Sequence, residues 1–278
     1  MLSLRGRACH EPHRVMNRLL TVVWKELDDV RRSRLILTTL IVPTVLYVIL
    51  SVVALRVGTM PGVAGLSGTD AQTIERAISR GGMQTTAAAF QALLVDQILV
   101  LFMLAPLFIP LTIASYSIIG EKQLRTLEPL LATPIRTWEL LAAKAIAAVL
   151  PGVAVSWFSY GGFLLLGGLT VSGNIVRLAL APVWLVSFGL LSPLFALLAV
   201  GMAVIASSRT SDPRAAQQLG AIVILPISGL LTAQVFGVVR LDVSHALMLT
   251  AGAALADALL LLAAIRLFDR ETILTRWR

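Results

Sequence analysis

Six long apolar runs constrain this chain more than any other feature. A helix that crosses a bilayer needs about 20 predominantly apolar residues, and each of the six runs is of that length. Five of them contain no charged residue, and the sixth contains one acid, Asp257. We therefore predict an all-α membrane protein with six transmembrane helices, at about 35–55, 98–119, 145–169, 183–206, 219–239 and 245–265.

Composition agrees with this assignment. Apolar residues make up 57% of the 278 residues and charged residues 14%, whereas soluble domains contain about 45–50% and about 25%. The mean hydropathy is +0.87. The single cysteine, Cys9, excludes an intrachain disulfide and a cysteine-cluster metal site. We therefore interpret residues 35–267 as one six-helix membrane domain. We attribute the net charge of +8 to the basic connections of a membrane protein rather than to nucleic-acid binding.

Lysine and arginine are distributed unevenly between the connections of the apolar runs. Eighteen lie in the N-terminal segment, the 120–144 break, the 207–218 loop and the C-terminal tail, and five lie in the other connections. Positive residues are enriched in cytoplasmic loops. We therefore predict a multi-pass protein of the plasma membrane with both termini in the cytoplasm, and residues 268–278 as a cytoplasmic tail.

An amphipathic pattern precedes the first run. Its apolar residues recur at helical spacing: Met16, Leu20, Val23, Leu27 and Val30. Arg18, Lys25, Asp29 and Arg32 fall on the opposite face. This pattern predicts an interfacial helix over 16–34 that lies on the inner leaflet; the alternative is an ordinary cytoplasmic helix packed on a partner. Residues 1–15 show no such pattern, and we predict a disordered extension there.

Motifs for chemistry are missing from the chain. The sequence contains no Gly-x-x-x-x-Gly-Lys-Ser/Thr phosphate-binding loop and no His-Glu-x-x-His zinc motif, so we predict no catalytic residues, no metal and no ATP site. The one acid in the runs, Asp257, lies near the middle of the last one and is expected to face the bundle rather than lipid. Two roles stay open: a structural hydrogen bond, to Thr232 or Ser228, or a contact in the translocation path.

The polar break after the second run is charged and amphipathic. Leu124, Leu127 and Leu131 lie at i, i+3 and i+7, which places them on one side of a helix over about 120–131. Glu121 and Arg125 are spaced to pair beside that stripe, and Pro129 is expected to end the helix near Glu128 or to restart it. Such a face suits a groove on another protein. The alternative, a helix lying on anionic lipid, is disfavoured by three acids against four bases.

This break carries a family resemblance. Gly120-Glu121-Lys122, then Thr126-Leu127-Glu128, then Leu130-Leu131-Ala132-Thr133-Pro134, and then Glu139-Leu140-Leu141 and Lys144 resemble the permease subunits of ABC type-2 transporters. The layout of an N-terminal "elbow" helix, six spans and this loop is similar over almost the whole chain.

The resemblance implies a permease without ATPase activity. ATP and magnesium would be bound by a separate ABC ATP-binding subunit, and the break would be the "coupling helix" seated in the cleft of that subunit. The implied contact residues are Glu121, Leu124, Arg125, Leu127, Glu128 and Leu131. The resemblance also implies export, and a permease homodimer or paired heterodimer in the lipid bilayer.

Three classes of function other than an ABC permease can be compared with the sequence. A self-contained secondary transporter or channel would use Asp257 as its ion-coupled group, but it would usually place several ionisable residues at membrane depth. A membrane-embedded enzyme is disfavoured by the missing His, Cys and acid constellations. A purely structural subunit stays open from the sequence.

Overall fold

The computed structural model describes residues 11–58, 86–124, 137–170, 173–235 and 242–267. Every regular element in these ranges is helical, and none is a strand. The fold class is therefore the all-α one that the apolar runs predict. In chain order the α-helices are α1 (Glu11–Arg32), α2 (Arg34–Gly58), α3 (Thr86–Phe102), α4 (Ala105–Gln123), α5 (Thr137–Thr170), α6 (Gly173–Ala179), α7 (Pro182–Val186), α8 (Ser192–Arg209), α9 (Pro213–Gly220), α10 (Ile224–Val235) and α11 (Val243–Leu267).

Five stretches in the described part of the chain are long and apolar enough to cross a membrane. They are Ile36–Val57, Gln91–Gln123, Glu139–Leu169, Pro182–Arg209 and Val243–Ala264. The predicted run 219–239 coincides with the end of α9, a 3₁₀ turn at Ala221–Val223 and the 12-residue helix α10. Residues 236–241, where that run would end, lie outside the described residues. The count of six spans therefore stays a prediction.

Helix α1 begins at Glu11, earlier than the predicted start at Met16. Pro12 is the second residue of the helix, where its missing N–H group is tolerated and its fixed φ suits the helix. Residues 11–15, which we assigned to an extension, are therefore helical. Residues 1–10 of the predicted extension lie outside the described residues, as does the predicted tail 268–278.

Helix α4 is the centre of the bundle. It packs against α5 on one side and α8 on the other, and its buried residues include Leu107, Leu111 and Ile113. Between α3 and α4 the helix is interrupted at Met103 and Leu104, whose N–H groups bond to carbonyls three residues earlier. Pro106 has no N–H group to continue the α-helical ladder, and this accounts for the interruption.

Helix α8 is preceded by a wide π turn at Ser187–Leu191. The indole N–H of Trp157 on α5 donates to the carbonyl oxygen of Phe188 at 2.8 Å. The rings of Phe188 and Tyr160 are stacked with centroids 4.3 Å apart, and the Tyr160 hydroxyl donates to the Ala179 carbonyl at 2.8 Å. These contacts close the end of the bundle opposite Glu121 with aromatic groups that satisfy backbone acceptors.

Helices α2 and α11 lie at the periphery of the bundle. Only 6% of the most apolar stretch of α2 and 11% of that of α11 are buried within the chain. Their exposed side chains are large and apolar, including Leu46, Leu50, Leu255 and Leu259. In a bilayer these faces contact lipid or another membrane helix.

Candidate functional site

The packing of α1 against α5 brings the first charged group of the site into place. Val23 is buried against Ala143 and Ala147, whose small side chains let the two helices approach closely. One turn further, Glu26 lies on the same side of α1 and is 7% exposed. Trp24, on the outer side of α1, is 71% exposed. The amphipathic helix α1 therefore carries the acid Glu26 on the side that packs against α5.

A buried charged cluster forms around this acid. We define it as Lys25 and Glu26 of α1, Ser117 and Glu121 of α4, and Lys144 of α5. The Lys144 Nζ atom lies 2.8 Å from Glu26 Oε1 and 2.9 Å from Glu121 Oε1. It also donates to Ser117 Oγ at 2.7 Å, and the Ser117 hydroxyl donates to Glu26 Oε2 at 2.7 Å. One ammonium group therefore joins three helices.

The electrostatics of the charged cluster keep Glu26 ionised. Burial raises the pKa of its carboxyl, but the charge and hydrogen bond of Lys144, the hydroxyl of Ser117 and the charge of Lys25 together outweigh burial, so the pKa of Glu26 is lowered. The Lys144 side chain is 5% exposed. Lys25 lies at the edge of the cluster. Its Nζ atom is 3.7 Å from Glu121 Oε1, and its side chain is 56% exposed.

The other side of the end of α4 is joined to the connection between α8 and α9. The Lys122 Nζ atom donates to the Thr210 carbonyl at 3.3 Å, and the Gln123 side-chain amide donates to the Ser211 carbonyl at 2.8 Å. Asp212 follows as the N-cap of α9 and accepts from the Arg214 N–H at 3.0 Å. The segment 121–123 is thus held from two directions, by α1 and α5 on one side and by this connection on the other.

Two of the six predicted coupling residues lie in the described part of the chain. Glu121 belongs to the charged cluster, where it pairs with Lys144 and Lys25. Leu124 caps the end of α4, with its N–H bonded to the Gly120 carbonyl, and it is 76% exposed. The remaining four lie outside the described residues: Arg125, Leu127, Glu128 and Leu131. The predicted pairing of Glu121 with Arg125 lies there as well.

Asp257 is not part of the charged cluster and lies on the packed side of α11. Ala253 and Ala264 on that side are buried, and Leu260 lies so near Gly201 of α8 that a Cβ added to the glycine would be 3.2 Å from the leucine Cβ. The Oδ2 atom of Asp257 is buried without a hydrogen-bond partner in the described residues. Ser228 donates its hydroxyl to the Leu225 carbonyl at 2.9 Å, and the side chain of Thr232 lies outside the description.

Glu26 is not among the predicted site residues, and Lys144 appears in the prediction only as part of the run that resembles ABC type-2 permeases. A signal for both was present. Glu26 interrupts the side of α1 that carries Val23 and Val30, and Lys144 stands between Ala143 and Ala147 at the start of an apolar run. A charged residue on the apolar side of each of two helices indicates a buried pair. Among the described residues no group of three His, Cys, Asp or Glu side chains could hold a metal ion.

A family model described as ABC-2 family transporter protein matches residues 20–268. The chain belongs to this family. A search of curated proteins finds no significant match. The match begins within α1 and ends just after α11, so both helices belong to the domain of the ABC-2 permease.

Membership settles the broad function. The chain is a membrane permease of an ABC transporter and a multi-pass membrane protein. Permeases of this family are generally transport subunits rather than ATPases, and they generally pair with an ATP-binding subunit. Glu121, Lys122 and Gln123, which make the contacts described above, lie at the start of the segment 120–131 that the resemblance marks for that partner.

Proposed function

We propose that the ABC-2 permease forms the translocation path of an ATP-driven exporter in the plasma membrane. In this proposal both termini and the segment after α4 face the cytoplasm. The coupling helix, residues 120–131, begins in the last turn of α4 and is seated in the cleft of a separate ATP-binding subunit. ATP and magnesium bind to that subunit, and two permeases assemble as a homodimer or a paired heterodimer.

The observation that carries the proposal is the two-sided anchoring of the end of α4. Glu121 is tied to α1 and α5 through Lys144, while Lys122 and Gln123 are tied to the connection that follows α8. If the chain only reversed its direction in water after α4, neither set of contacts would be needed. A helix that receives a force from a partner needs both, because the force must reach the rest of the bundle.

The proposed movement follows from these contacts. Closure of the ATP sites draws the two ATP-binding subunits together and displaces the segment after α4. Because the charged cluster is buried and well paired, α1, α4 and α5 move as a unit rather than separately. The contacts to Thr210 and Ser211 pass the same displacement to α8, which packs against α11. The spans would then rock together and open the outer side.

The test is ATPase coupling in the reconstituted complex. The purified permease alone should hydrolyse no ATP, and co-expression with its ATP-binding subunit should yield a complex with two copies of each. Glu128→Arg reverses a charge in the proposed coupling helix and should weaken assembly or uncouple the ATPase from the permease. Asp28→Arg is the matched control, because Asp28 is also an exposed acid but lies on α1, paired with Arg32. Unchanged assembly and ATPase in Glu128→Arg would remove this residue from the interface.

A further inference from the structure

A cleft opens beside the charged cluster, between α1, α2 and the end of α4. Its volume is about 370 Å³, within the range of about 300–1,000 Å³ that is usual for ligand sites. Its polar wall contains Lys25, Glu26, Asp29 and Glu121, and its apolar wall contains Ile36 and Ile113. Glu121 and Leu124 of the proposed coupling helix also line this cleft, but the proposed coupling assigns no ligand to the space itself.

The cleft shares two of its lining residues with a space in the membrane-spanning part of the bundle. A second, narrower groove of about 60 Å³ runs between α2 and α4. Ile36 and Ile113 line both spaces, and the groove is completed by Leu40, Phe108, Ile109 and Thr112. The Thr112 hydroxyl donates to the Phe108 carbonyl at 2.9 Å, so the groove offers an almost wholly apolar surface. A wide polar end and a narrow apolar extension match the outline of a lipid headgroup and one acyl chain.

The position of the wide end fits the headgroup level of a bilayer. Tyr116 lines it, and Trp24 is exposed on the neighbouring turn of α1. Tyrosine and tryptophan are enriched where membrane meets water. The groove begins at Ile36, where the apolar stretch of α2 starts.

The charges of the cleft favour an ammonium group over a purely anionic ligand. Three carboxylates (Glu26, Asp29, Glu121) stand against two ammonium groups (Lys25 and Lys144 behind the wall), which leaves a formal charge of −1. Glu26 and Glu121 are paired with Lys144, whereas Asp29 is exposed and forms no ion pair within the described residues. Lys25 is half exposed and can meet a phosphate.

We propose that this cleft binds one aminophospholipid from the bilayer. Its phosphate lies at Lys25, its headgroup ammonium lies at Asp29, and one acyl chain follows the groove between α2 and α4. The bound lipid fills the space between the amphipathic helix α1 and the first two spans. This assignment does not depend on the direction of transport or on the partner subunit.

The experiment is native mass spectrometry of the full chain released from nanodiscs. The nanodiscs contain equal amounts of phosphatidylethanolamine and phosphatidylglycerol with identical acyl chains. We expect retained lipid to be mainly phosphatidylethanolamine, and Asp29→Asn to reduce that preference by about two- to fivefold, as the loss of one partly exposed ion pair predicts. Asp28→Asn is the matched control: it removes the same charge from the neighbouring residue, which does not line the cleft.

A second pair of variants tests the acyl-chain groove. Thr112→Phe fills the groove and should lower lipid retention, whereas Val45→Phe, on the lipid-exposed side of α2, should leave retention unchanged. Equal retention of the two lipids, or equal effects of Asp29→Asn and Asp28→Asn, would overturn the proposal. Displacement of the bound lipid by soluble glycerophosphoethanolamine would also overturn it, because it would indicate a site for small amines rather than for a bilayer lipid.

Discussion

At the residue scale, Lys144 is expected to have the largest effect on stability, because its ammonium lies between the carboxylates of Glu26 and Glu121. Lys144→Met would leave both acids without their buried partner, which typically costs about 3–5 kcal/mol. Thermal unfolding of the purified permease, followed by tryptophan fluorescence, should show a large drop in Tm. Lys25→Met is the graded control: its pair with Glu121 is longer and half exposed, so its loss should cost at most about 1 kcal/mol. Equal drops in both variants would contradict the central role of Lys144.

The same cluster predicts a dependence of stability on pH. The pKa of Glu26 is lowered from 4.5 in the folded chain, so the ionised carboxylate contributes stability that is fully present above the unfolded pKa. That contribution is lost as the pH falls through the folded pKa. The Tm of the wild-type permease should therefore fall more steeply below pH 4.5 than the Tm of Glu26→Gln. Parallel curves for the two proteins would show that folding does not lower the pKa of Glu26.

Asp257 gives a prediction of opposite sign. Its buried Oδ2 atom lacks a partner in the described residues, and an unsatisfied buried polar atom costs about 1–3 kcal/mol. Asp257→Leu, which keeps the branched shape at Cγ and removes the polar atoms, should therefore raise the Tm of the isolated permease. Asp96→Leu is the matched control, since Asp96 takes part in a polar interaction and its loss should not stabilise the chain. A lower Tm in Asp257→Leu would favour the structural hydrogen bond. A raised Tm with lost transport would favour the translocation path.

At the element scale, the contact of α4 with α5 depends on one glycine. A Cβ added to Gly152 would lie 2.7 Å from Cδ of Pro110, and closer still to Cγ of the same rigid ring. Gly152→Ala must therefore push the two helices apart, which typically costs about 1–3 kcal/mol. Gly161→Ala, further along α5, is the control, because its new Cβ meets no atom within 4 Å. A Tm for Gly152→Ala equal to that of Gly161→Ala would show that α4 and α5 are not packed this closely.

The positions of the transmembrane helices could be predicted where hydrophobicity alone determines them. The first, third and last apolar runs each became one helix, since about 20 apolar residues in a bilayer must satisfy their backbone groups internally. Around the second run, the apolar stretch of the structure extends beyond the uncharged residues 98–119, because it reaches back past Asp96 to Gln91. A run defined by the absence of charge ends at such an acid. In the structure Asp96 takes part in a polar interaction and the helix continues through it.

At the scale of the whole molecule, topology is the property to measure. The charge asymmetry predicts six spans with both ends in the cytoplasm. Reporter fusions should place residue 75 outside and residues 125 and 212 inside. The contacts of Lys122 and Gln123 with Thr210 and Ser211 place residues 122–123 and 210–211 at the same end of the bundle, and hence on the same side of the membrane. An outside signal at residue 125 would overturn both the orientation and the proposed coupling.

The amino-acid sequence by itself determined the class of this protein, its apolar helices and the segment that resembles a coupling helix. Those properties follow from short-range patterns: runs of apolar residues, helical spacing and the balance of charges between loops. Only the tertiary structure decided which charges meet. Glu26 and Lys144 are 118 residues apart in the chain, and their burial together depends on how α1 packs on the alanines of α5. The local patterns mark Glu26 and Lys144 each as a charge on an apolar side, but which charges pair is set by the summed contacts of three helices.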